Sequence, residues 1–195
     1  ITPFSNKDFK NFQPDILITF GGMVVSKRIK ASLRKYQPKH HWHIDGLRAY
    51  DTFGCLTQHF KVNPNQFFNQ FLRFTIPIRS NYRSAFASIA ALRKRKHQEY
   101  LSKVPFSDFK AFEKIIPSLS ENSMLHLSNS SAIRYAQLFD INPSIEVFCN
   151  RGTSGIDGST STAIGAAVAN EKPTVLIAGD IGFLYDSNAL WNEYI

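Results

Sequence analysis

The segment from Ala178 to Asn188 places a glycine and an aspartate where an apolar run ends, and such a pair can bind a metal ion. Residues 174–178 are apolar or β-branched and predict a buried strand, which Gly179 and Asp180 follow directly. Glycine lets the backbone approach a phosphate closely, and an aspartate at a strand end is a good ligand for a hard cation. A Gly-Asp pair also occurs by chance, and Asp180 could simply cap a turn.

A glycine-rich loop follows the strand predicted at 145–149. Residues 150–158 contain three glycines at three-residue spacing, and Asp157 and Ser159 are candidate caps for the helix predicted to follow. A helix N-terminus favours anions because its free N–H groups and its dipole both attract negative charge. The glycine spacing does not fit the Gly-x-Gly-x-x-Gly fingerprint, and the chain has no Gly-Lys-Ser/Thr motif. The sequence therefore disfavours a central-type α/β module that binds nucleotides.

Two arginines follow the other predicted strands of this region. Arg134 lies one helical turn beyond Ser130, after the strand at 123–127, and Arg151 follows the strand at 145–149. The planar guanidinium fork suits a carboxylate, so two arginines at adjacent strand ends favour a site for a carboxylate ligand. Each arginine could instead pair with an acidic residue of the core or the surface.

Two blocks of alternating strands and helices must position these residues. Strand–helix–strand order is typical of a parallel sheet, whose ligands bind at the carboxyl ends of the strands. The sequence therefore predicts an α/β protein with doubly wound parallel sheets. The predicted strands are 15–20, 41–45, 54–60, 123–127, 145–149 and 174–178. The predicted helices are 27–36, which Ser26 could cap, 65–71, 82–103, 107–119, 131–139 and 158–170.

Three segments, in this order, carry a resemblance to a known family. They are Asn129-Ser130-x-x-x-Arg134, Asn150-Arg151-Gly152-x-Ser154-Gly155-Ile156-Asp157-Gly158 and Gly179-Asp180-x-x-x-Leu184-x-Asp186-x-Asn188-Ala189-Leu190. They are similar to the diphosphate-binding domain of the 2-succinyl-5-enolpyruvyl-6-hydroxy-3-cyclohexene-1-carboxylate synthases, which use thiamine diphosphate (ThDP). The middle segment is the specific one, since the Gly-Asp segment is shared by ThDP enzymes in general. Ser26-Lys27-Arg28, after a strand and glycines, is similar to the family's central domain.

The resemblance implies a domain organisation and a reaction. Residues 1–78 would be part of the central α/β domain, and residues 79–195 the N-terminal part of the diphosphate-binding domain. The family reaction is a ThDP- and Mg²⁺-dependent decarboxylation of 2-oxoglutarate, with addition of the resulting succinyl-semialdehyde carbanion to isochorismate in menaquinone biosynthesis. The resemblance thus implies a transferase (a carboligase) whose full-length form is a cytoplasmic homo-oligomer.

The resemblance also implies roles for particular residues. The positions that contact the substrate carboxylates or the cofactor-bound adduct are matched by Lys27, Arg28, Ser130, Arg134 and Arg151. The cofactor-binding positions are matched by Ile156, which corresponds to the apolar wedge that holds ThDP bent, and by Gly179 and Asp180. Asp180 would also be the first protein ligand of Mg²⁺.

The resemblance leaves some parts of the site outside these residues. The family's second metal ligand would lie beyond Ile195, and its proton-relay glutamate belongs to an N-terminal domain. The chain therefore has no assigned catalytic residue, and alone it is expected to be inactive. It begins at Ile1 without a methionine and ends within a helix predicted over 187–193, so we interpret it as an excerpt of a longer protein.

The charge distribution leaves a different class of function open. The net charge is +8, and residues 1–100 hold 17 Lys and Arg against 5 Asp and Glu. The run Arg93-Lys94-Arg95-Lys96, with aromatic neighbours such as Tyr82 and Phe86, could bind nucleic acid. A solvated charged helix face explains it as well, and the chain has no recognised nucleic-acid-binding motif.

The remaining metal- and redox-active residues predict little. His41 and His43 would share a strand face and could bind zinc, but no third and fourth ligands converge on them, so histidines on an edge strand are the preferred interpretation. Cys55 and Cys149 are expected to be reduced thiols, since the N-terminus has no secretory signal pattern. No apolar run reaches the ~18 residues of a membrane span.

Overall fold

The computed structural model describes residues 4–193 and separates two compact units, which meet in sequence between Glu99 and Tyr100. Each unit is built around a three-stranded sheet, and every strand pair in both sheets is parallel. Helices follow five of the six strands. The predicted α/β class with parallel sheets is confirmed.

The first unit has the strand order β1-β2-β3. Its sheet pairs Ile16 with His40 and Phe20 with Ile44, so the carboxyl ends of β1 and β2 are level. Its elements are α1 (Asn6–Asn11), β1 (Ile16–Phe20), α2 (Lys27–Lys35), β2 (His40–Ile44), β3 (Leu56–Phe60), α3 (Pro64–Phe71), a 3-10 turn (Leu72–Phe74) and most of α4 (Tyr82–Leu101).

A glycine turn and a serine cap connect β1 to α2. Gly21 has φ +73°, a conformation that glycine adopts without steric cost. The Ser26 hydroxyl accepts a hydrogen bond from the Ile29 N–H at 3.3 Å, which satisfies one of the free donors of the first turn. The predicted capping role of Ser26 is confirmed.

Most of α4 belongs to the first unit, where the segment around α1, a helix that the sequence did not predict, anchors it. The Phe86 ring lies 5.2 Å from the Phe4 ring and 5.5 Å from the Phe12 ring. Arg93 donates a hydrogen bond to the Asp8 carboxylate at 2.8 Å. The compact units therefore divide inside α4, whereas the assignment of domains to 1–78 and 79–195 stays a prediction.

The second unit has the strand order β5-β4-β6. The chain runs from β4 to β5 on one side of β4 and later to β6 on the other side. The carboxyl end of β4 is therefore a topological switch point. Its elements are α5 (Asp108–Ser118), β4 (Met124–Leu127), α6 (Ser131–Ala136), β5 (Glu146–Phe148), α7 (Ser159–Val168), β6 (Thr174–Ile177), α8 (Asp180–Tyr185) and a 3-10 turn (Ser187–Leu190). The helix predicted over 187–193 is wrong, since only that 3-10 turn forms; residue 195, where the chain stops, lies outside the described residues.

The ion pair between Asp8 and Arg93, which anchors α4, should make the stability of the protein depend on pH. Hydrogen bonds from the Ser5 backbone, the Ser5 hydroxyl and Arg93 lower the pKa of Asp8 from 3.8 to about 2. Because the folded-state pKa lies below the unfolded-state value, the stabilisation is complete above about pH 4 and is lost as the pH falls through about 2. We expect Asp8→Asn to lower the free energy of unfolding near pH 7 and to flatten its decline over that window.

Urea unfolding at a series of pH values measures this effect. Asp15→Asn is the matched control, because Asp15 pairs with Lys39 on the open surface, where an ion pair contributes little. Identical pH profiles for Asp8→Asn and the unchanged protein would contradict the role of the Asp8 carboxylate.

Candidate functional site

The carboxyl edge of the second sheet collects the polar residues that the sequence places after its strands. Asn129 and Ser130 follow β4, Arg151 follows β5, and Gly179 and Asp180 follow β6. Since all three strands are parallel, their carboxyl ends lie at one edge. This edge includes the switch point beside β4, where open α/β sheets bind ligands. The structure therefore brings the candidate residues of the second unit to one side of the sheet.

Asn129 organises this edge, although its sequence context predicts no role of its own. Its side chain is buried, with 3% of the residue exposed. Its Nδ2 group donates to the carbonyl oxygens of Asn150 at 2.7 Å and of Gly155 at 2.6 Å. Its Oδ1 atom accepts a hydrogen bond from Arg151 at 2.6 Å. One buried carboxamide thus holds both sides of the glycine-rich loop and an arginine.

Arg151 is therefore held by a neutral partner. The sequence left open whether it would meet a ligand carboxylate or pair with an acidic residue, and within residues 4–193 it donates to the Asn129 carboxamide. Its Nε atom is buried without a partner among the described residues. Burial raises the pKa of the neighbouring Cys149 thiol, and the Arg151 charge offsets part of that effect. Cys149 and Cys55 are both free.

Ser130 and Arg134 lie on the solvent-facing side of the α6 N-terminus. Ser130 occupies the position before the helix with φ +72° and ψ −125°, a strained conformation for a residue that is not glycine, and makes no capping hydrogen bond. Arg134 is exposed in the middle of α6. Both side chains are available to a ligand at this edge.

The first turn of α7 is capped in a way that the sequence did not reveal. Gly158, with φ +75°, takes the N-cap position and offers no side chain. The buried carboxylate of Asp186 accepts hydrogen bonds from the Ser161 N–H at 2.8 Å and from the Ser161 hydroxyl at 2.5 Å. The expectation that Asp157 or Ser159 caps this helix was wrong, because the acceptor comes from a distant segment.

Two hydroxyl groups in the same turn have no partner. Ser159 and Thr160 are 6% and 3% exposed, and their side-chain oxygens make no hydrogen bond within the described residues. A buried hydroxyl without a partner costs roughly 1–3 kcal/mol, so such a pair is unusual in a folded protein. Hydroxyl donors at a helix N-terminus suit an anionic ligand.

Asp180 begins α8 and is exposed, with Gly179 before it as the N-cap residue. Two residues further on, Gly182 is buried against the loop that carries Ile156. A Cβ atom at Gly182 would lie 3.1 Å from the Ile156 carbonyl oxygen and 3.3 Å from the Ser128 hydroxyl. The close approach of α8 to this loop therefore depends on glycine, and it sets the Asp180 segment next to Ile156, whose side chain is half-buried.

The described residues do not form a complete metal site. No group of three or more His, Cys, Asp or Glu side chains converges on one point anywhere in 4–193. A metal ion at Asp180 would therefore need further ligands from a bound molecule, from water or from other protein segments.

The first unit holds Lys27 and Arg28 at the start of α2. Lys27 is exposed, and the Arg28 guanidinium donates to the Phe4 carbonyl oxygen and lies 5.9 Å from the centre of the Phe9 ring. Neither residue has a carboxylate partner among residues 4–193.

His41 and His43 lie on the middle strand of the first sheet, so their assignment to an edge strand was wrong. His41 and His43 do share a face, since the Thr19 hydroxyl lies 2.9 Å from a ring nitrogen of each. They line a cavity of about 350 Å³ at the carboxyl ends of β1 and β2. Burial lowers the pKa of His41, which favours the neutral ring. A zinc site is not supported, because no third ligand joins them in the described chain.

The basic run on α4 is partly paired. Arg93 contacts Asp8, and Arg95 lies 3.6 Å from Glu99 one turn along the helix. These contacts favour a solvated, ion-paired helix face over a nucleic-acid site. Among the helices of residues 4–193, none is long and apolar enough to cross a membrane.

Comparison with known proteins identifies the family. No family model matches the chain. Over all 195 residues, however, it is 67% identical to the 2-succinyl-5-enolpyruvyl-6-hydroxy-3-cyclohexene-1-carboxylate synthase of Flavobacterium johnsoniae and 67% identical to that of Flavobacterium psychrophilum. The chain belongs to this synthase family. The synthase of Phocaeicola vulgatus is 40% identical over 99% of the chain. The chain spans 35%, 36% and 33% of the lengths of these three relatives, which is about a third of each synthase.

The close contact at Gly182 should make an alanine at this position destabilising. Gly182→Ala should lower the free energy of unfolding by about 1–3 kcal/mol, because the new methyl group meets backbone that must shift. Gly165→Ala in α7 is the matched control, since its Cβ would meet open space and alanine favours a helix by up to about 1 kcal/mol. Thermal unfolding compares the two variants, and equal stabilities would contradict the close contact.

Proposed function

We propose that the full-length protein catalyses the ThDP- and Mg²⁺-dependent decarboxylation of 2-oxoglutarate and the transfer of the resulting succinyl-semialdehyde unit to isochorismate, in menaquinone biosynthesis. The observation that carries this proposal is the sheet edge where Asp180, the Ile156 loop and Arg151 meet, in a chain that is 67% identical to two synthases of this family. The reaction belongs to the whole protein. These residues supply part of the site, and the chain is expected to be inactive alone.

The residues at this edge fit a diphosphate bound through a metal ion. The buried hydroxyl groups of Ser159 and Thr160 lack partners among the described residues, and a phosphate oxygen would satisfy them. A Cβ atom added at Gly179 would meet no other atom within 4 Å, so there is room for a phosphate beside the backbone. The Asp180 carboxylate offers the hard oxygen ligand that Mg²⁺ prefers, and the diphosphate and water would complete its six ligands.

The other residues would act on the substrates and on the shape of the cofactor. ThDP, when bound, supplies the carbon nucleophile and stabilises the charge left by decarboxylation. Ile156, held by the loop against α8, would support the bent form of the cofactor. Both proposed substrates are dicarboxylates, and the positive charges proposed to bind them are on Lys27, Arg28, Arg134 and Arg151, with the Ser130 hydroxyl as a further donor.

The proposed metal role of Asp180 can be tested by removing the charge of its side chain. In the full-length protein, Asp180→Asn should weaken Mg²⁺-dependent ThDP binding on the order of 100-fold, because it removes a charged ligand of the metal. Isothermal titration with ThDP at fixed Mg²⁺ measures this. Asp108→Asn is the matched control, since Asp108 is also an exposed aspartate at the first position of a helix. Unchanged ThDP affinity in Asp180→Asn would remove the metal assignment.

A second prediction concerns the carboxylate contact of Arg134. Arg134→Ala should lower kcat/KM for 2-oxoglutarate or isochorismate by about 10- to 100-fold, because a hydrogen bond to a charged group is lost. Because Arg134 is exposed, the melting temperature should barely change. Lys114→Ala on α5 serves as the control for loss of an exposed cation in the same unit. Full activity of Arg134→Ala would withdraw its assignment.

A further inference from the structure

The Asn129 carboxamide uses all of its hydrogen-bonding capacity at the sheet edge. Its two N–H donors meet the carbonyl oxygens of Asn150 and Gly155, which lie on opposite sides of the glycine-rich loop. Its Oδ1 atom accepts a hydrogen bond from Arg151 at 2.6 Å, and the Cys149 sulfur lies 3.7 Å from the same oxygen. The orientation of the amide is fixed by these partners, because a carbonyl oxygen can only accept and a guanidinium can only donate.

No other side chain of similar shape would do the same at this position. Aspartate lacks both donors, so its second oxygen would face the two loop carbonyl oxygens. It would also add a negative charge 2.6 Å from the Arg151 guanidinium, where Asn129 accepts its hydrogen bond. The carboxamide therefore orients Arg151 and leaves its charge uncompensated.

The same side chain fixes the entry to the Ile156 segment. By joining the carbonyl groups of Asn150 and Gly155, it closes the loop directly before Ile156, whose own carbonyl group faces Gly182 of α8. Asn129 is buried behind this loop, so its influence passes through the loop and through Arg151.

We infer that Asn129 is a positioning residue for the proposed reaction: its carboxamide presents Arg151, held without an internal ion pair, to a substrate carboxylate and holds the loop that carries Ile156. This inference rests on the proposed function. It assigns Asn129 a separate effect on each ligand, since the Arg151 contact governs the carboxylate substrate and the loop contacts govern ThDP.

A double-mutant cycle in the full-length protein tests this inference. At saturating ThDP and Mg²⁺, Asn129→Asp should raise the KM for 2-oxoglutarate about tenfold, because an ion pair within the protein competes with the substrate. In the Arg151→Ala background, the same change should alter that KM by less than about twofold. The dissociation constant of ThDP should rise in both backgrounds, because the loop contacts are lost in both.

The dependence on Arg151 distinguishes a positioning role from a general structural role. A tenfold increase in KM in both backgrounds, or in neither, would overturn the inference, since a general structural role does not depend on Arg151. If Asn129→Asp does not fold, as its melting curve would reveal, the cycle is run with Asn129→Ser, for which the same dependence on Arg151 is expected. Asn142→Asp, an exposed asparagine at the opposite, amino edge of the sheet, should leave both constants unchanged. If the unmodified protein neither binds ThDP nor consumes 2-oxoglutarate, the proposed function itself fails.

Discussion

The second unit depends on one constraint: β4 is buried along its whole length between two parallel neighbours, so the polar groups at its end must be satisfied inside the protein. Ser128 and Asn129 lie at this end with almost no exposed surface. Asn129 satisfies its own amide by binding the loop after β5, and that loop determines where Gly182 and α8 can lie. The hydrogen bonds that offset the burial of Asn129 thus also assemble the edge at which the ligand residues meet.

The features that the sequence predicted correctly depend on residues that are close together in the chain. Local sequence patterns located all six strands to within two residues, and Ser26 caps α2 as expected, because both signals are local. The errors that bear on the site concern partners far along the chain. Asp186 reaches Ser161 across 25 residues, and Asn129 contacts residues 21 to 26 positions away. The position of β2 as the middle strand depends on which strands pair, and the local pattern around His41 cannot show this.

The arginines fall into two groups according to what holds them. Arg93 is held by the Asp8 carboxylate, which neutralises it and leaves a purely structural role in anchoring α4. Arg28 and Arg151 are held by a backbone carbonyl and a carboxamide, which orient the guanidinium group and leave its charge in place. Orientation without an internal ion pair is what the proposed binding of dicarboxylates requires, because an internal ion pair would compete with the substrate. The sequence contains both kinds of arginine, and only the contacts distinguish them.

The strained backbone of Ser130, like the contacts of the arginines, helps to separate a structural role from a ligand-binding role. A non-glycine residue with φ +72° and ψ −125° costs on the order of 1–3 kcal/mol and persists only where its neighbours determine the backbone. Here Asn129 is fixed by the loop on one side, while Ala132 and Ile133 are buried on the other. Glycine would relieve the strain at this position but would remove the hydroxyl. A hydroxyl that caps no helix and is held at a strained position is consistent with the proposed contact between Ser130 and a ligand at the carboxyl edge.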